Sequence, residues 1–95
     1  MVVGVLNITL HIGGVSSLKE KRRIIKSILE RIHSKYRVAA AETGRQDEWN
    51  YSDMGFSCVS NEASHAESVL SSVIRFIDND ARVEIIQSIS ESIHF

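Results

Sequence analysis

The apolar residues of this chain switch between two spacings, and the order of the switches is what most restricts the fold. Alternate residues are apolar in stretches that predict strands, and a short run of small residues predicts one more strand. These segments are residues 6–12, 37–43, 51–60 and 82–95. Apolar residues at helical spacing predict helices over residues 18–35 and 62–78. The predicted order is therefore strand, helix, strand, strand, helix, strand.

Short local signals place the ends of these elements. A glycine pair at residues 13–14 ends the first strand. Ser17 and Glu20 have the spacing of a capping box, in which each side chain bonds the other residue's backbone N–H. Asn61 is a favourable N-cap for the second helix. Ile86 interrupts the alternation of the last strand and predicts a bulge there.

The order of elements is typical of an α+β ferredoxin-like fold, βαββαβ, with a four-stranded antiparallel sheet and two helices on one face. A chain of 95 residues without linkers or repeats is expected to form one domain, residues 1–95. No apolar run approaches the roughly 20 residues that span a bilayer, and the first six residues lack the basic start of a signal peptide. The single cysteine, Cys58, excludes an internal disulfide. We therefore expect a cytoplasmic protein without a membrane segment.

Charge is distributed unevenly along the chain. Residues 1–45 contain nine Lys and Arg against three Asp and Glu, whereas residues 46–95 contain two against nine. The formal net charge of −1 therefore conceals a basic half and an acidic half. Two surfaces of opposite sign are expected, of which the basic one favours phosphate and both together favour contact between subunits.

Basic residues crowd the start of the first predicted helix. A helix N-terminus carries a partial positive charge, so it disfavours cations and, together with its free N–H groups, attracts anions. The candidate phosphate-binding residues are Lys19, Lys21, Arg22, Arg23 and Lys26, extended by Arg45 in a later loop. The alternative is an ordinary solvated face, in which Lys26 pairs with Glu30 one turn further on.

A polar loop with a tryptophan joins the second and third strands. Its candidate partner-binding residues are Gln46, Asp47 and Trp49. Two interpretations of Trp49 stay open. Its ring either seals the edge of the sheet or is an exposed anchor for a partner or a base.

The sheet face opposite the helices is predicted to be open. Many RNA-recognition domains with this fold stack bases on aromatic side chains of that face, but the aromatic pair is missing here. RNA binding is therefore expected on the first helix. Val3, Val5 and Ile86 favour the open face as the contact surface of a homodimer or larger assembly.

Signatures of catalysis and of metal binding are weak. The four histidines, at positions 11, 33, 65 and 94, fall on separate elements, and one thiol does not make a zinc motif. No serine or cysteine stands in a nucleophile motif, and the glycine pair is not followed by the Lys-Ser/Thr of a phosphate loop. We expect no catalytic residues, no metal and no cofactor, and a protein that is not an enzyme.

Several segments, taken together, resemble a known family. They read Val2-Val3-Gly4-Val5-Leu6, Ser17-Leu18-Lys19-Glu20-Lys21-Arg22-Arg23, Ala41-Glu42, Gln46-Asp47-Glu48-Trp49 and Val59-Ser60-Asn61. In these segments the chain is similar to the YlxP-like family of small bacterial proteins of unknown function. The resemblance implies a ferredoxin-like fold and no established catalytic residues. Because genes of the family often lie near translation and ribosome-maturation genes, it also implies a role associated with RNA or the ribosome.

The leading hypothesis is a non-enzymatic binding domain for ribosomal or other RNA that uses the basic first helix. Two alternatives stay open. One is a homo-oligomeric structural or regulatory module, in which the basic helix of one subunit meets the acidic half of another. The other is a sensor of small anions at the turn formed by residues 13–23.

Overall fold

A computed structural model describes residues 1–95, and its elements follow the predicted order. The strands are β1 (Val2–Ile12), β2 (Ala39–Gly44), β3 (Tyr51–Ser60) and β4 (Val83–His94), and the helices are α1 (Leu18–Lys35) and α2 (Ala63–Asp78). The strands form one sheet in the order β2-β3-β1-β4, and every neighbouring pair is antiparallel. The predicted ferredoxin-like α+β fold is therefore confirmed.

The last strand slips by one residue against β1. Thr9 lies opposite Gln87 and Leu10 lies opposite Ile85, so Ile86 has no partner and forms the predicted bulge. Beyond the bulge, the alternation of β4 places its remaining isoleucines on the open face of the sheet. The bulge therefore decides which face of the molecule these apolar side chains occupy.

The helices cover the other face of the sheet and enclose the core with it. Alternate residues of β1 and β3 and one stripe of each helix supply its buried apolar side chains. The fully or almost fully buried members include Leu6, Ile8, Leu10, Ile12, Ile25, Ile28, Ile32, Met54, Phe56, Leu70, Val73 and Ile77. The predicted inward faces of both helices and both strands are confirmed for these residues.

A glycine sets the distance between α2 and β1. A Cβ atom on Gly4 would lie 3.0 Å from Leu70 Cδ1, 3.2 Å from Ala66 Cβ and 3.3 Å from Cys58 Sγ. These separations are tighter than ordinary van der Waals contact. The helix therefore packs directly on the backbone of the central strand.

The two helix starts differ in part from the predicted caps. Ser17 Oγ accepts a hydrogen bond from the Glu20 N–H at 3.1 Å, as predicted, but the Glu20 carboxylate accepts from the Ser16 N–H at 2.8 Å rather than from Ser17. The prediction that Asn61 caps α2 is wrong, because the N-cap position is Glu62. The hydroxyl of Ser60 accepts from the Glu62 N–H at 3.1 Å and takes the place of a side-chain cap.

Candidate nucleic-acid interface

Lys21 does not lie on the surface of α1. Its side chain has no exposed area, and its Nζ lies 2.8 Å from Glu42 Oε2 of β2. The same nitrogen donates to the carbonyl oxygens of Arg45 at 2.8 Å and Gln46 at 3.3 Å, so it has three partners for its three protons. Ser52 Oγ donates to the same carboxylate oxygen at 2.6 Å. The assignment of Lys21 to phosphate binding is therefore corrected: it is a structural cation that joins α1 to β2 and the following loop.

Four other predicted phosphate-binding residues are exposed on α1, namely Lys19, Arg22, Arg23 and Lys26. Arg22 Nη2 lies 3.9 Å from Asp47 Oδ1, and Lys26 Nζ lies 3.9 Å from Glu30 Oε1, as the solvated-face alternative predicted. Both pairs are well exposed and stabilise the fold little. Lys19 and Arg23 form no ion pair.

Further cations continue this surface toward the end of α1. Arg23, Ser27, Arg31 and Lys35 are four residues apart, so they form a row along the helix with a rise of about 6 Å per step. Ser27 is the one uncharged residue of this row. Arg82, which follows α2, donates from Nη2 to Ser27 Oγ at 3.4 Å and so places a cation beside it. We call the four cations Arg23, Arg82, Arg31 and Lys35 the basic strip.

Three members of the basic strip were not among the phosphate-binding residues predicted from the sequence, namely Arg31, Lys35 and Arg82. The four-residue spacing of Arg23, Arg31 and Lys35 is a signal that the sequence does contain. No such signal exists for Arg82, because it lies in the acidic half of the chain and 55 residues from Ser27. Its place in the row depends on the turn that brings the end of α2 back beside α1.

The N-terminus of α1 already has an anion of its own chain. The Glu20 carboxylate lies 2.8 Å from the Ser16 N–H, and Ser17 caps the first turn. Gly14 has a φ of 73°, which the turn requires and glycine permits. The alternative of a small-anion sensor at residues 13–23 depended on a free helix N-terminus and on Lys21. Glu20 already occupies this turn and Lys21 points inward, so neither is available to an external anion.

The backbone of Arg45 contacts Lys21 of α1, but its side chain lies on the open face of the sheet. Its Nε is 3.4 Å from Asp53 Oδ2, and its guanidinium lies 5.6 Å from the centre of the Tyr51 ring, both of which belong to the open face. Thr9 Oγ1 donates to the other Asp53 oxygen at 2.7 Å. Arg45 is therefore held by a carboxylate and an aromatic ring of the open face, and it does not extend the cations of α1.

The three predicted partner-binding residues, Gln46, Asp47 and Trp49, are all exposed in the loop between β2 and β3. Trp49 is 49% exposed, so its ring does not seal the core. The carbonyl of Gln46 accepts from Lys21, which fixes the base of the loop. The interpretation of Trp49 as a seal of the sheet edge is therefore not supported, and its role as an anchor for a partner stays a prediction.

The open face of the sheet carries an apolar groove rather than an aromatic platform. The groove has a volume of about 500 Å³, and its floor is formed by small residues such as Ala39, Ala41 and Gly55. The exposed apolar side chains on or beside this face are Val59, Ile86, Ile89 and Ile93. Val3 and Val5 are only partly exposed. The face is therefore a candidate contact surface, as predicted, with β4 contributing more than β1.

Asp80 holds Arg82 in the basic strip. Asp80 Oδ1 accepts from the Arg82 backbone N–H and from Nε, both at 3.0 Å, and Oδ2 accepts from Nη2 at 2.7 Å. The side-chain hydrogen bonds from Arg82 are the largest cause that lowers the pKa of Asp80 below the usual range of an aspartate. The pair therefore stabilises the folded state while Asp80 is ionised.

We expect Asp80→Asn to lower the free energy of unfolding by about 1 kcal/mol near neutral pH, because a fork of charged hydrogen bonds is lost. Since the folded-state pKa is lowered, the contribution is complete above the unfolded pKa of about 3.9 and disappears as the pH falls through the lowered value. Urea unfolding at neutral and acidic pH checks this. Asp78→Asn, on the exposed end of α2, is the control and should have little effect. A wild-type advantage that persists unchanged in strong acid would contradict the assignment.

Cys58, the single thiol of the chain, belongs to the core. Cys58 is buried, its Sγ donates to the Ala66 carbonyl at 3.7 Å, and burial raises the pKa of the thiol. No three His, Cys, Asp or Glu side chains are grouped closely enough to hold a metal ion. Neither α1 nor α2 is both long and apolar enough to cross a membrane.

Comparison with known proteins agrees with the resemblance found in the sequence. A protein of Bacillus subtilis (strain 168), described as "Uncharacterized protein YlxP", is 40% identical to this chain over 68 residues. The aligned segment covers 72% of this chain and 74% of the relative. Residues 3–89, which include both helices and most of the sheet, match the model of the family described as "Protein of unknown function (DUF503)". The similarity to YlxP-like proteins is thereby confirmed, and the chain belongs to the DUF503 family.

Proposed function

We propose that this chain is a non-enzymatic RNA-binding domain, with ribosomal RNA as the first candidate ligand, and that it binds through α1 and Arg82. The observation that supports the proposal is the basic strip. Arg23, Arg31 and Lys35 form no ion pair, and Arg82 is paired only with Asp80. Like charges that share one surface repel one another, and an anion bound along the row relieves the repulsion.

The geometry of the strip suits a polyanion better than a single small anion. Three of its four cations occupy one row of α1 that rises about 6 Å per four residues, so the charge is spread along the helix and does not converge on one point. The open sheet face instead presents Asp53, Glu84 and Glu91, which repel phosphate. Phosphate contacts position a nucleic acid without reading its bases. We therefore expect RNA binding that depends strongly on salt and weakly on sequence.

We expect Lys19→Gln combined with Arg23→Gln to weaken the binding of ribosomal RNA by about 25-fold near 0.1 M salt. Each lost phosphate contact removes about 0.7 from the slope of log affinity against log salt, so the slope should fall by about 1.4. Filter binding over a range of salt concentrations measures both quantities. Neither residue forms an ion pair, so thermal unfolding should not change.

The matched control is Arg37→Gln combined with Arg45→Gln, which removes the same charge from two residues outside α1 and outside the basic strip. If both double variants lose equal affinity, only net charge matters and the assignment to α1 is wrong. If the unmodified protein does not bind ribosomal RNA at low salt, the proposed function itself is wrong.

A second candidate function is a homo-oligomeric interaction module, and the open sheet face favours it. Ile89 and Ile93 are 56% and 45% exposed on β4, an edge strand that pairs only with β1. Exposed apolar side chains on an edge strand favour packing or pairing with another chain. This candidate and RNA binding use opposite faces of the molecule, so they can be tested separately.

If the open sheet face joins subunits, Ile89→Asp should shift the protein from oligomer to monomer in sedimentation velocity. The reason is that an apolar contact surface does not accommodate a carboxylate. Its RNA affinity should stay unchanged. An unmodified protein that sediments as a monomer at every concentration would exclude the second candidate.

A further inference from the structure

An open cleft lies between the C-terminal halves of the two helices, next to the basic strip. Its volume is about 780 Å³, which is within the range of small-ligand sites. The lining residues that matter here are four cations and two aromatic rings, Arg31, Lys35, Arg75, Arg82, Tyr36 and Phe76. They come from α1, from α2 and from the turn after α2.

The cleft is strongly cationic although the whole chain is nearly neutral. Asp80 is its only acidic lining residue, and it is already bonded to Arg82 at 2.7 Å. Arg75 donates from Nη2 only to Ser72 Oγ, at 3.1 Å. The helix dipole accounts for single cations near a helix C-terminus. It does not account for the convergence of four cations from three segments, which is the arrangement that binds an anion.

One wall of the cleft is aromatic. The rings of Tyr36 and Phe76 meet edge to face, with centroids 6.0 Å apart and an interplanar angle of 76°. Lys35 Nζ lies 5.3 Å from the centre of the Phe76 ring and 5.6 Å from that of Tyr36. A phosphate site beside an aromatic wall matches a ligand that carries both a phosphate and a planar ring.

We propose that this cleft binds one nucleotide unit, with its phosphate on Arg31 and Arg75 and its base against the rings of Tyr36 and Phe76. The inference rests on the proposed function in naming RNA as the source of the nucleotide. Three members of the basic strip also line the cleft, so an RNA strand that follows the strip leads into it. A free nucleotide has the same chemistry, and the experiment separates the two sources.

The test is an NMR titration of the intact chain with four probes. They are adenosine 5′-monophosphate, adenosine, inorganic phosphate and a short single-stranded oligoribonucleotide. We expect adenosine 5′-monophosphate to shift the backbone signals of Arg75 and Phe76 in a saturable titration. The affinity derived from it should be at least fivefold higher than that of adenosine or of phosphate alone. The oligoribonucleotide should shift the same signals and bind more tightly still, because it also contacts the strip. A free nucleotide that binds as tightly as the oligoribonucleotide would overturn RNA as the source.

Two variants and one control make the outcome decisive. Arg75→Gln and Phe76→Leu should each weaken binding of the monophosphate at least fivefold, whereas Arg37→Gln, which removes the same charge outside the cleft, should not. Thermal unfolding shows that each variant is folded. Shifts confined to Lys19 and Arg23, or equal effects of Arg75→Gln and Arg37→Gln, would overturn the nucleotide site and leave the proposed function standing. Monophosphate binding in the cleft without any affinity for RNA would overturn the proposed function instead.

Discussion

Lys21→Met is expected to lower the free energy of unfolding by about 3–5 kcal/mol, although it replaces a basic residue of a basic helix. Lys21 has no exposed area, and its Nζ lies 2.8 Å from Glu42. Removing the ammonium group leaves the Glu42 carboxylate with only the hydroxyl of Ser52. It also leaves the Gln46 carbonyl without a donor and the Arg45 carbonyl with only the Glu48 N–H. Since small domains are stable by about 5–15 kcal/mol in total, this loss is a large part of the fold's stability.

Chemical unfolding in urea measures the effect, and two further variants test its cause. Lys26→Met removes an exposed lysine of the same helix and should cost at most a few tenths of a kcal/mol. Lys21→Met combined with Glu42→Met should recover much of the loss, because an apolar pair replaces the buried charges. If Lys21→Met and Lys26→Met are equally mild, Lys21 is not the structural cation described here.

The same result bears on tests of RNA binding. A Lys21 variant that binds RNA poorly would reflect partial unfolding rather than a lost phosphate contact. Amide hydrogen exchange separates the two explanations, because Lys21→Met should accelerate exchange in residues 45–50, which Lys21 holds through the carbonyls of Arg45 and Gln46.

Gly4→Val is expected to lower the free energy of unfolding by about 3 kcal/mol. The first added carbon would lie 3.0 Å from Leu70 Cδ1 and 3.2 Å from Ala66 Cβ, and the two methyl groups add further volume to a filled space. A densely packed interior accommodates such volume only if α2 moves away from β1 or side chains leave their preferred rotamers. Valine's higher strand propensity, worth less than about 1 kcal/mol, does not compensate.

Thermal unfolding of Gly4→Val beside Gly13→Val checks this prediction. At Gly13 the nearest atom to an added Cβ is His11 Cε1 at 3.8 Å, and φ is not positive, so the control should change stability little. A Gly4→Val protein as stable as the control would show that α2 adjusts freely over the sheet.

The candidate site was only partly predictable, and the residues show why. Lys19, Arg22, Arg23 and Lys26 are exposed as expected, because helical spacing puts them away from the apolar stripe. Lys21 lies at the margin of that stripe, and helical spacing alone does not say whether such a residue turns outward or inward. Glu42, Arg45 and Gln46, which receive its ammonium group, lie more than 20 residues away in the sequence.

The sequence by itself determined the topology, the inward face of each element and the bulge at Ile86, because apolar periodicity and turn residues are local properties of the chain. It also determined that the first helix is basic. Only the tertiary structure decided which cations share a surface. The folding of β2 against α1 provides partners that bury Lys21, and the turn after α2 places Arg82 beside Arg31 in the basic strip and the cleft. Such contacts join residues that are distant in sequence, so no local spacing of residues predicts them.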